Sequence, residues 1–571
     1  MIGQPEDKAT LVEMTDQAFR TLSPARVADQ LTYILDLQGI PRFFSPLERT
    51  MLFGFQSFGE YLPGVSVPLV KDRMRKETAN VILPAEPEML TEHLRQRQQE
   101  GVRMNVNFLG EALLGEDEAK RRLKRYLEAL RMPDVECVSV KITTIYSQVS
   151  AIAREHTTRI LADRLELLYR AALREVFKHA DGRETRKFVY LDMEEYRDLD
   201  LTIRAMCRAL EREGMESVRA GVALQAYIPD SHRVLKQLIE WSRERVSGGG
   251  VPLTIRLVKG ANMEMERVES SIGGWEHAPY AIKSDTDANY KRMLKTLLEN
   301  SDVLRIGVAS HNLFDISLAM LWAHERECLA HVQFEMLEGM ANHQRRAIFE
   351  ASESMLLYAP ACRREEFLNA IGYLVRRLDE NTGKENFLRH AFQLQADTPE
   401  WDQLCTGFEE SFKAMANVSD APRKDQDRTI APDQPSVAER WQDYDGEPDT
   451  DWSLVQNTDW AESIVEKWQA LSGDNAVSVP LFVGGNQVDS NRDERSSFDP
   501  SRTDVVSCRY PEASVADVEA AVTCADQDPT GWRGTSLKDR HALLRKAAQL
   551  MRERRSDLIG AAMLDLSLIH I

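Results

Sequence analysis

Leu253-Thr254-Ile255-Arg256-Leu257-Val258-Lys259-Gly260-Ala261 is a short apolar run that ends in charge and then glycine. Its length, branched side chains and terminal glycine read as a β-strand over 253–258, buried on both faces. Seven runs of the same kind accompany it, at 104–109, 135–140, 187–191, 220–224, 304–309, 332–334 and 355–358. Longer amphipathic patterns of helical period lie between and after them, as at 118–130, 159–176, 234–246 and 364–378. Eight strands, each followed by a helix, is the count of an α/β fold of the (β/α)8 TIM-like barrel type. An open doubly wound sheet is the alternative topology, but it does not require eight evenly distributed units.

Outward from the barrel the pattern changes. Residues 1–100 read as a helical arm or cap, with apolar residues at helical spacing over 20–37 and 48–58. Pro41, Pro46, Pro63 and Pro68 punctuate it. The barrel itself is expected over 101–395, followed by a helical and linker segment over 396–477. Asp420-Ala421-Pro422, Ala431-Pro432-Asp433-Gln434-Pro435 and Gly446-Glu447-Pro448-Asp449 mark the linker proper, 415–455. A new unit starts near 478, with a strand over 478–483, a turn at Gly484-Gly485, and helices over 515–524 and 537–552. Residues 566–571 carry no cap or stop signal and read as a scar outside the fold.

The bulk properties exclude several classes. Hydrophobic residues make up 43% and charged residues 29% of 571, ordinary for a globular protein. A net charge of −19 argues against nucleic acid and against constitutive attachment to anionic lipid, both of which need a basic face. The seven cysteines are dispersed, with no CxxC pair and no metal-like cluster, so no metal site is expected and the thiols read as reduced. With no apolar leader and no bilayer-length apolar stretch, the expected location is the cytoplasm, with peripheral docking as the one remaining membrane mode.

In a barrel, chemistry gathers at the C-terminal ends of the strands. Here those positions are Glu111, Lys141, Asp192, Gln225, Arg256 with Lys259, His311 with Asn312, Glu335 and Tyr358. Any one alone is a solvated strand end; eight polar endings to eight apolar strands line one mouth. Beyond the last strand, Tyr373 precedes Arg376 and Arg377 by three and four residues, so the three share a helix face. Two guanidinium groups side by side can fork around a small carboxylate, although such a pair by itself is more often a basic surface. Lys141 and Lys259 also suit a Schiff-base lyase, provided one of them has a depressed pKa.

The strings 255–261 and Tyr373-Leu374-Val375-Arg376-Arg377-Leu378, the latter ahead of Glu380-Asn381, resemble the signature of proline dehydrogenases. Gly110-Glu111-Ala112, Ser139-Val140-Lys141, Leu191-Asp192-Met193-Glu194-Glu195 and Leu224-Gln225-Ala226-Tyr227 add to it. So do Thr286-Asp287, Ala309-Ser310-His311-Asn312, Glu338-Gly339-Met340 and Tyr358-Ala359-Pro360, all in the family's order. Farther on, Phe482-Val483-Gly484-Gly485, Phe498-Asp499-Pro500 and Trp532-Arg533 resemble the opening of an aldehyde dehydrogenase, here expected as a truncated part over 478–565. The fusion is similar to the bacterial bifunctional proline utilization A family.

The resemblance implies an FAD enzyme that oxidises L-proline to 1-pyrroline-5-carboxylate by hydride transfer from C5 to flavin N5, with electrons passed to a membrane quinone. In that family a second, NAD-dependent domain oxidises the glutamate semialdehyde formed by hydrolysis. This chain stops short of the catalytic Cys, catalytic Glu and NAD-binding segment, so no aldehyde dehydrogenase activity is expected of it. By motif, Arg376, Arg377 and Lys141 would hold the proline carboxylate, Tyr373 would pack on the ring, and Glu111 would gate the mouth by pairing with Arg376. Asp192 would order the cationic side chains, and Arg256 would lie near flavin N5. Gln225, Lys259, Gly260, Thr286, His311, Asn312 and Glu380 would contact FAD. Asn262-Met263 departs from the aromatic pair that many members carry there, which bears on substrate fit. The resemblance leaves room for a homo-oligomer and for peripheral contact with the inner membrane, and implies no nucleic-acid partner. Two readings of another class stand beside it: the lyase, and an inactive fragment that serves only as a binding partner.

Overall fold

The computed structural model describes residues 5–18, 21, 23–42, 44–59, 61–110, 115–352, 354–370, 372–374, 377, 386–391, 394–430, 446–488 and 491–566. The chain divides into two compact units, one of residues 1–272 and 276–424, the other of residues 273–275 and 425–571.

In the first unit, eight parallel strands follow one another around a closed barrel. They are β1 (Arg103–Phe108), β2 (Cys137–Val140), β3 (Phe188–Leu191), β4 (Arg219–Gln225), β5 (Leu253–Val258), β6 (Leu304–Ala309), β7 (Val332–Leu337) and β8 (Met355–Cys362). Each pairs with its sequence neighbour, and β8 closes on β1 with Leu357 opposite Met104 and Ala359 opposite Val106. The closed β/α barrel is therefore present, and the open-sheet alternative is excluded by the β8–β1 pairing. A ninth short strand, Leu83–Pro84, pairs with the C-terminal end of β8, opposite Ala361 and Cys362.

The strands alternate as a barrel requires. Val106, Val138, Val189, Val222, Ile255, Ile306, Phe334 and Leu357 belong to the main apolar core under the helices. The opposite face of the same strands points inward. There Cys137, Phe188, Tyr190 and Leu356 form a small separate cluster, and Asn105, Ser139, Arg256 and Glu335 form buried polar layers.

The helices carry ordinary end signals. Glu116–Arg131 opens with Glu116, Asp117 and Glu118 and closes on Arg131, which complements its dipole. Pro24, Pro46 and Pro63 each stand in the first turn of a helix, where the missing N–H costs nothing. The reading of Pro68 as punctuation is corrected: it lies inside Pro63–Thr78, in the second turn, where only one intrahelical hydrogen bond is forfeited. The helix expected over 364–378 is also corrected at its start, where Arg364–Ala370 is a 3-10 helix. The N-terminal helices have a core of their own around Val27, Leu31, Leu35, Phe55 and Val67. No helix among the described residues is long and apolar enough to cross a membrane.

In the second unit, Glu494–Asp499 and Arg502–Pro511 form an antiparallel pair, to which Val477–Ser478 adds in parallel. The single strand expected over 478–483 is two, Val477–Ser478 and Phe482–Val483, in different sheets. Helices Val455–Ala470 and Arg555–Asp565 cross closely, because Gly560 sits against the Trp468 ring where a Cβ would meet it at 2.0 Å.

Candidate active site

The strand ends open onto one cavity of about 870 Å3. Lys141, Asp192, Gln225, Arg256, Lys259, Gly260, His311, Asn312, Glu335 and Tyr358 all line it, together with Thr286 from Lys283–Glu299 and Tyr373 and Arg377 beyond β8. Nine of the polar positions expected at strand ends, from Lys141 to Tyr358, thus line one cavity, with Arg256, Glu335 and Tyr358 lying within their strands rather than past them. Glu111, Arg376 and Glu380 lie outside the described residues, as does the expected Glu111–Arg376 gate.

Arg256 is the centre of the site. It sits in β5, 4% exposed, between two carboxylates. Its Nε donates to Glu335 Oε2 at 2.5 Å and its Nη1 to Asp192 Oδ1 at 2.9 Å. The guanidinium lies 3.8 Å over the Tyr190 ring and 5.4 Å from the Tyr358 ring centroid. Burial works against its charge, but Glu335, Tyr190 and Asp192 outweigh burial and hold the guanidinium above its ordinary pKa. Asp192 in turn accepts from Ser139 Oγ at 3.0 Å and from Tyr358 OH at 2.7 Å. It is therefore held from three strands and cannot swing away.

The lysines are paired. Lys141, at the end of β2, bonds to Glu194 in the loop after β3. That loop is pinned from two sides: Gln225 Nε2 donates to the carbonyls of Met193 and Glu194, and Asn262 Nδ2 donates to the Glu194 carbonyl at 2.8 Å. Asn262 is buried, and its amide supports the partner of Lys141. Lys259 lies between Asp287 at 2.6 Å and Asp315 at 2.7 Å. Burial alone would lower its pKa, yet Asp315 and Asp287 together raise it, so the side chain is held as an ammonium. Gly260 follows at φ +133°, and a Cβ there would meet the Tyr227 ring at 2.4 Å, so the turn needs glycine.

His311, just after β6, accepts the Leu337 N–H on Nε2 at 3.2 Å. That bond assigns the proton of the neutral ring to Nδ1. Burial first, and Arg377 second, push its pKa down from 6.5 to about 4. An unfolded His311 takes up its proton near pH 6.5 and the folded one only near pH 4. The unfolded state therefore binds more protons across that window, and stability falls as pH drops through it. Between pH 7 and pH 5 we expect a loss of about 1–2 kcal/mol from this group. Urea unfolding of wild type and His311→Gln at both pH values measures it, and an equal pH-dependent loss in both proteins would refute it. Asn312 caps the next helix, its Oδ1 accepting from Phe314 N at 3.0 Å.

Four contributors escaped the sequence reading of the site: Glu335 as a partner of Arg256, Tyr190 beneath it, Asp315, and helix Pro399–Ala414. Gln333 and Glu335 alternate with apolar Val332, Phe334 and Met336, which marks an inward polar face on β7. Asp315 carried no such signal. Helix Pro399–Ala414 contributes Gly407, Phe408 and Ser411 to the cavity wall. Lys291 ties it down by donating to Ser411 Oγ at 2.8 Å. Tyr373 and Arg377 stack, the guanidinium 5.0 Å from the ring centroid.

Residues 90–390, over half the chain, match the proline dehydrogenase family model, and the chain belongs to that family. Residues 487–569 match the aldehyde dehydrogenase family. Its relatives include the bifunctional protein PutA of Klebsiella aerogenes, 24% identical over 490 residues, which covers 82% of this chain and 35% of that protein. Bos taurus hydroxyproline dehydrogenase is 28% identical over 244 residues, 41% of this chain and 50% of that one. Among solved structures, proline utilization A from Bdellovibrio bacteriovorus, inactivated by N-propargylglycine, superposes with a TM-score of 0.76 at 25% identity. That match covers 98% of this chain and 54% of the other. Proline utilization A from Corynebacterium freiburgense is 34% identical with a TM-score of 0.57, covering 72% of this chain and 38% of the other. The chain spans about a third of the length of the bifunctional curated relatives it matches.

Proposed function

We propose that the first unit is an FAD-dependent proline dehydrogenase that oxidises L-proline to 1-pyrroline-5-carboxylate and passes electrons to a quinone. One observation carries this reading. Arg256 Nη2 and His311 Nδ1 are both buried and have no hydrogen-bond partner among the described residues, yet both residues wall the cavity. An unsatisfied buried donor costs about 1–3 kcal/mol, so such a wall calls for a ligand rich in acceptors. An isoalloxazine, with ring nitrogens and carbonyl oxygens, supplies them. A volume of about 870 Å3 is on the scale of a cofactor site.

FAD, when bound, supplies the two-electron acceptor that takes a hydride from proline C5. The protein's part is to bind and orient. Arg377, with Arg376, and Lys141 would hold the substrate carboxylate by charge-assisted bonds, and Tyr373 would pack on the ring. Asp192 and Tyr358 keep the cationic wall in register. Arg256 would favour negative charge where electrons arrive. Gln225, Lys259, Gly260, Thr286, His311, Asn312 and Glu380 would hold the cofactor. The proline amine loses its proton after the hydride leaves, and the C=N bond of the product forms. No acid–base dyad is required if the amine binds neutral.

The same reading covers the rest of the chain. Residues 1–100 form the arm and 101–395 the catalytic barrel, and of the segment 396–477 the part through Lys424, with helix Pro399–Ala414 in the cavity wall, belongs with the barrel before the connection begins. Residues 478–565 correspond to the first part of an aldehyde dehydrogenase domain, whose NAD-dependent step belongs to the full-length enzymes. A cytoplasmic protein that reaches its quinone by peripheral contact with the inner membrane, alone or as a homo-oligomer, is consistent with it. The lyase reading is disfavoured by Lys259, which its two carboxylates hold in the charged, non-nucleophilic form.

The test is visible absorption of the purified protein before and after L-proline without oxygen. A yellow protein bleached by proline supports both cofactor and substrate. A yellow protein indifferent to proline overturns the substrate, and a folded colourless protein that takes up no added FAD overturns the whole reading.

A further inference from the structure

We propose that Glu335 is a positioning residue that fixes the orientation and net charge of Arg256 toward the cofactor and thereby tunes the reduction potential of the bound flavin. The inference rests on the flavin reading above. It starts from a buried carboxylate whose two oxygens are both engaged. Glu335 is 3% exposed, in the middle of β7. Its Oε2 takes Arg256 Nε at 2.5 Å, and its Oε1 takes Tyr190 OH at 2.7 Å and Gln333 Nε2 at 2.7 Å. With Asp192 on Nη1, the two carboxylates occupy two positions of the guanidinium and leave Nη2 as its one donor without a partner among the described residues. Which N–H serves the cavity is therefore decided by where the carboxylates sit.

The backbone makes room for this arrangement. Gly307 of β6 faces the same spot, and a Cβ there would stand 2.2 Å from Glu335 Oε1 and 3.0 Å from Tyr190 OH. Beneath, Gln333 accepts from Arg103 Nη1 at 2.8 Å, and Arg103 in turn pairs with Glu136. Two carboxylates on one guanidinium leave a net negative cluster inside a barrel. Stability alone does not ask for that, since well-packed apolar residues fill such space as well or better. A cation near a flavin favours its electron-rich reduced form, so the second carboxylate offsets Arg256 and holds the potential down.

The experiment is the flavin midpoint potential of the FAD-loaded full chain, wild type against Glu335→Gln. Loss of the negative charge should favour reduction at least tenfold, a positive shift of about 30 mV for two electrons. A structural role confined to folding would leave the potential of the bound flavin unchanged. If Glu335→Gln does not fold, Glu335→Asp decides. It keeps the charge but withdraws it from Arg256 by one methylene, and should shift the potential in the same direction by a smaller amount. A flavin-loaded variant with wild-type potential overturns this inference and leaves the flavin reading standing. A wild-type protein that takes up no FAD overturns both.

Discussion

Arg256→Met is expected to lower the unfolding free energy by about 3–5 kcal/mol at neutral pH, the cost of leaving buried charge without its partner. Methionine keeps the apolar stem and much of the volume, so the loss is electrostatic rather than a cavity. It strands Glu335 and Asp192 together in the barrel, with Tyr190, Ser139 and Tyr358 still donating to them. Two carboxylates in one buried site cannot both stay ionised cheaply, so one of them gains a raised pKa in the folded variant. The folded state then binds more protons than the unfolded one, and the variant loses further stability as pH rises. Urea unfolding followed by circular dichroism at pH 5 and pH 8 measures both effects. A loss under about 1 kcal/mol at pH 8 would show that Arg256 is not what holds the two carboxylates apart.

The second large effect is on binding. Arg377→Ala should raise the dissociation constant for L-proline roughly 30- to 150-fold, equivalent to about 2–3 kcal/mol for charge-assisted bonds to a carboxylate. Flavin content should stay at wild-type level, because Arg377 is proposed to hold the substrate. Arg377→Lys should fall between, since an ammonium keeps the charge but cannot present the planar fork. Anaerobic titration of the flavin band with proline gives the constants. Loss of flavin in Arg377→Ala with unchanged proline affinity in the remaining holoenzyme would assign the residue to the cofactor instead.

The barrel was legible because the eight strands are buried on both faces, so each reads as a continuous apolar run with a polar ending. Their bounds shifted at Cys137, where the strand starts two residues later than expected, and at Leu337, where it ends three later because the buried charge of Glu335 interrupts the apolar run inside the strand. The final helix was misjudged at its start, because periodicity cannot tell a 3-10 helix at Arg364–Ala370 from the α-helix expected there. At the site, strand ends identified the wall but not its wiring. Arg256 was visible as a charge in an apolar run. That Glu335 and Asp192 grip it from two sides is a property of strand register, which composition does not carry. Lys259 shows the limit most plainly. Its two meanings, ammonium or nucleophile, separate only once Asp287 and Asp315 stand within 3 Å.

Helix Pro399–Ala414 lies past the segment that the family model spans, yet it walls the cavity and is anchored through Ser411 to Lys291. Anyone trimming this chain to a minimal dehydrogenase at the edge of the recognisable family segment would remove part of the container along with the tail. Lys291 would then face solvent beside Asp315, and the Phe314 ring would lose its stack on Phe408. Recognisable homology and the working module have different borders here, and a useful shortened version has to run at least through Lys424, where the first unit ends.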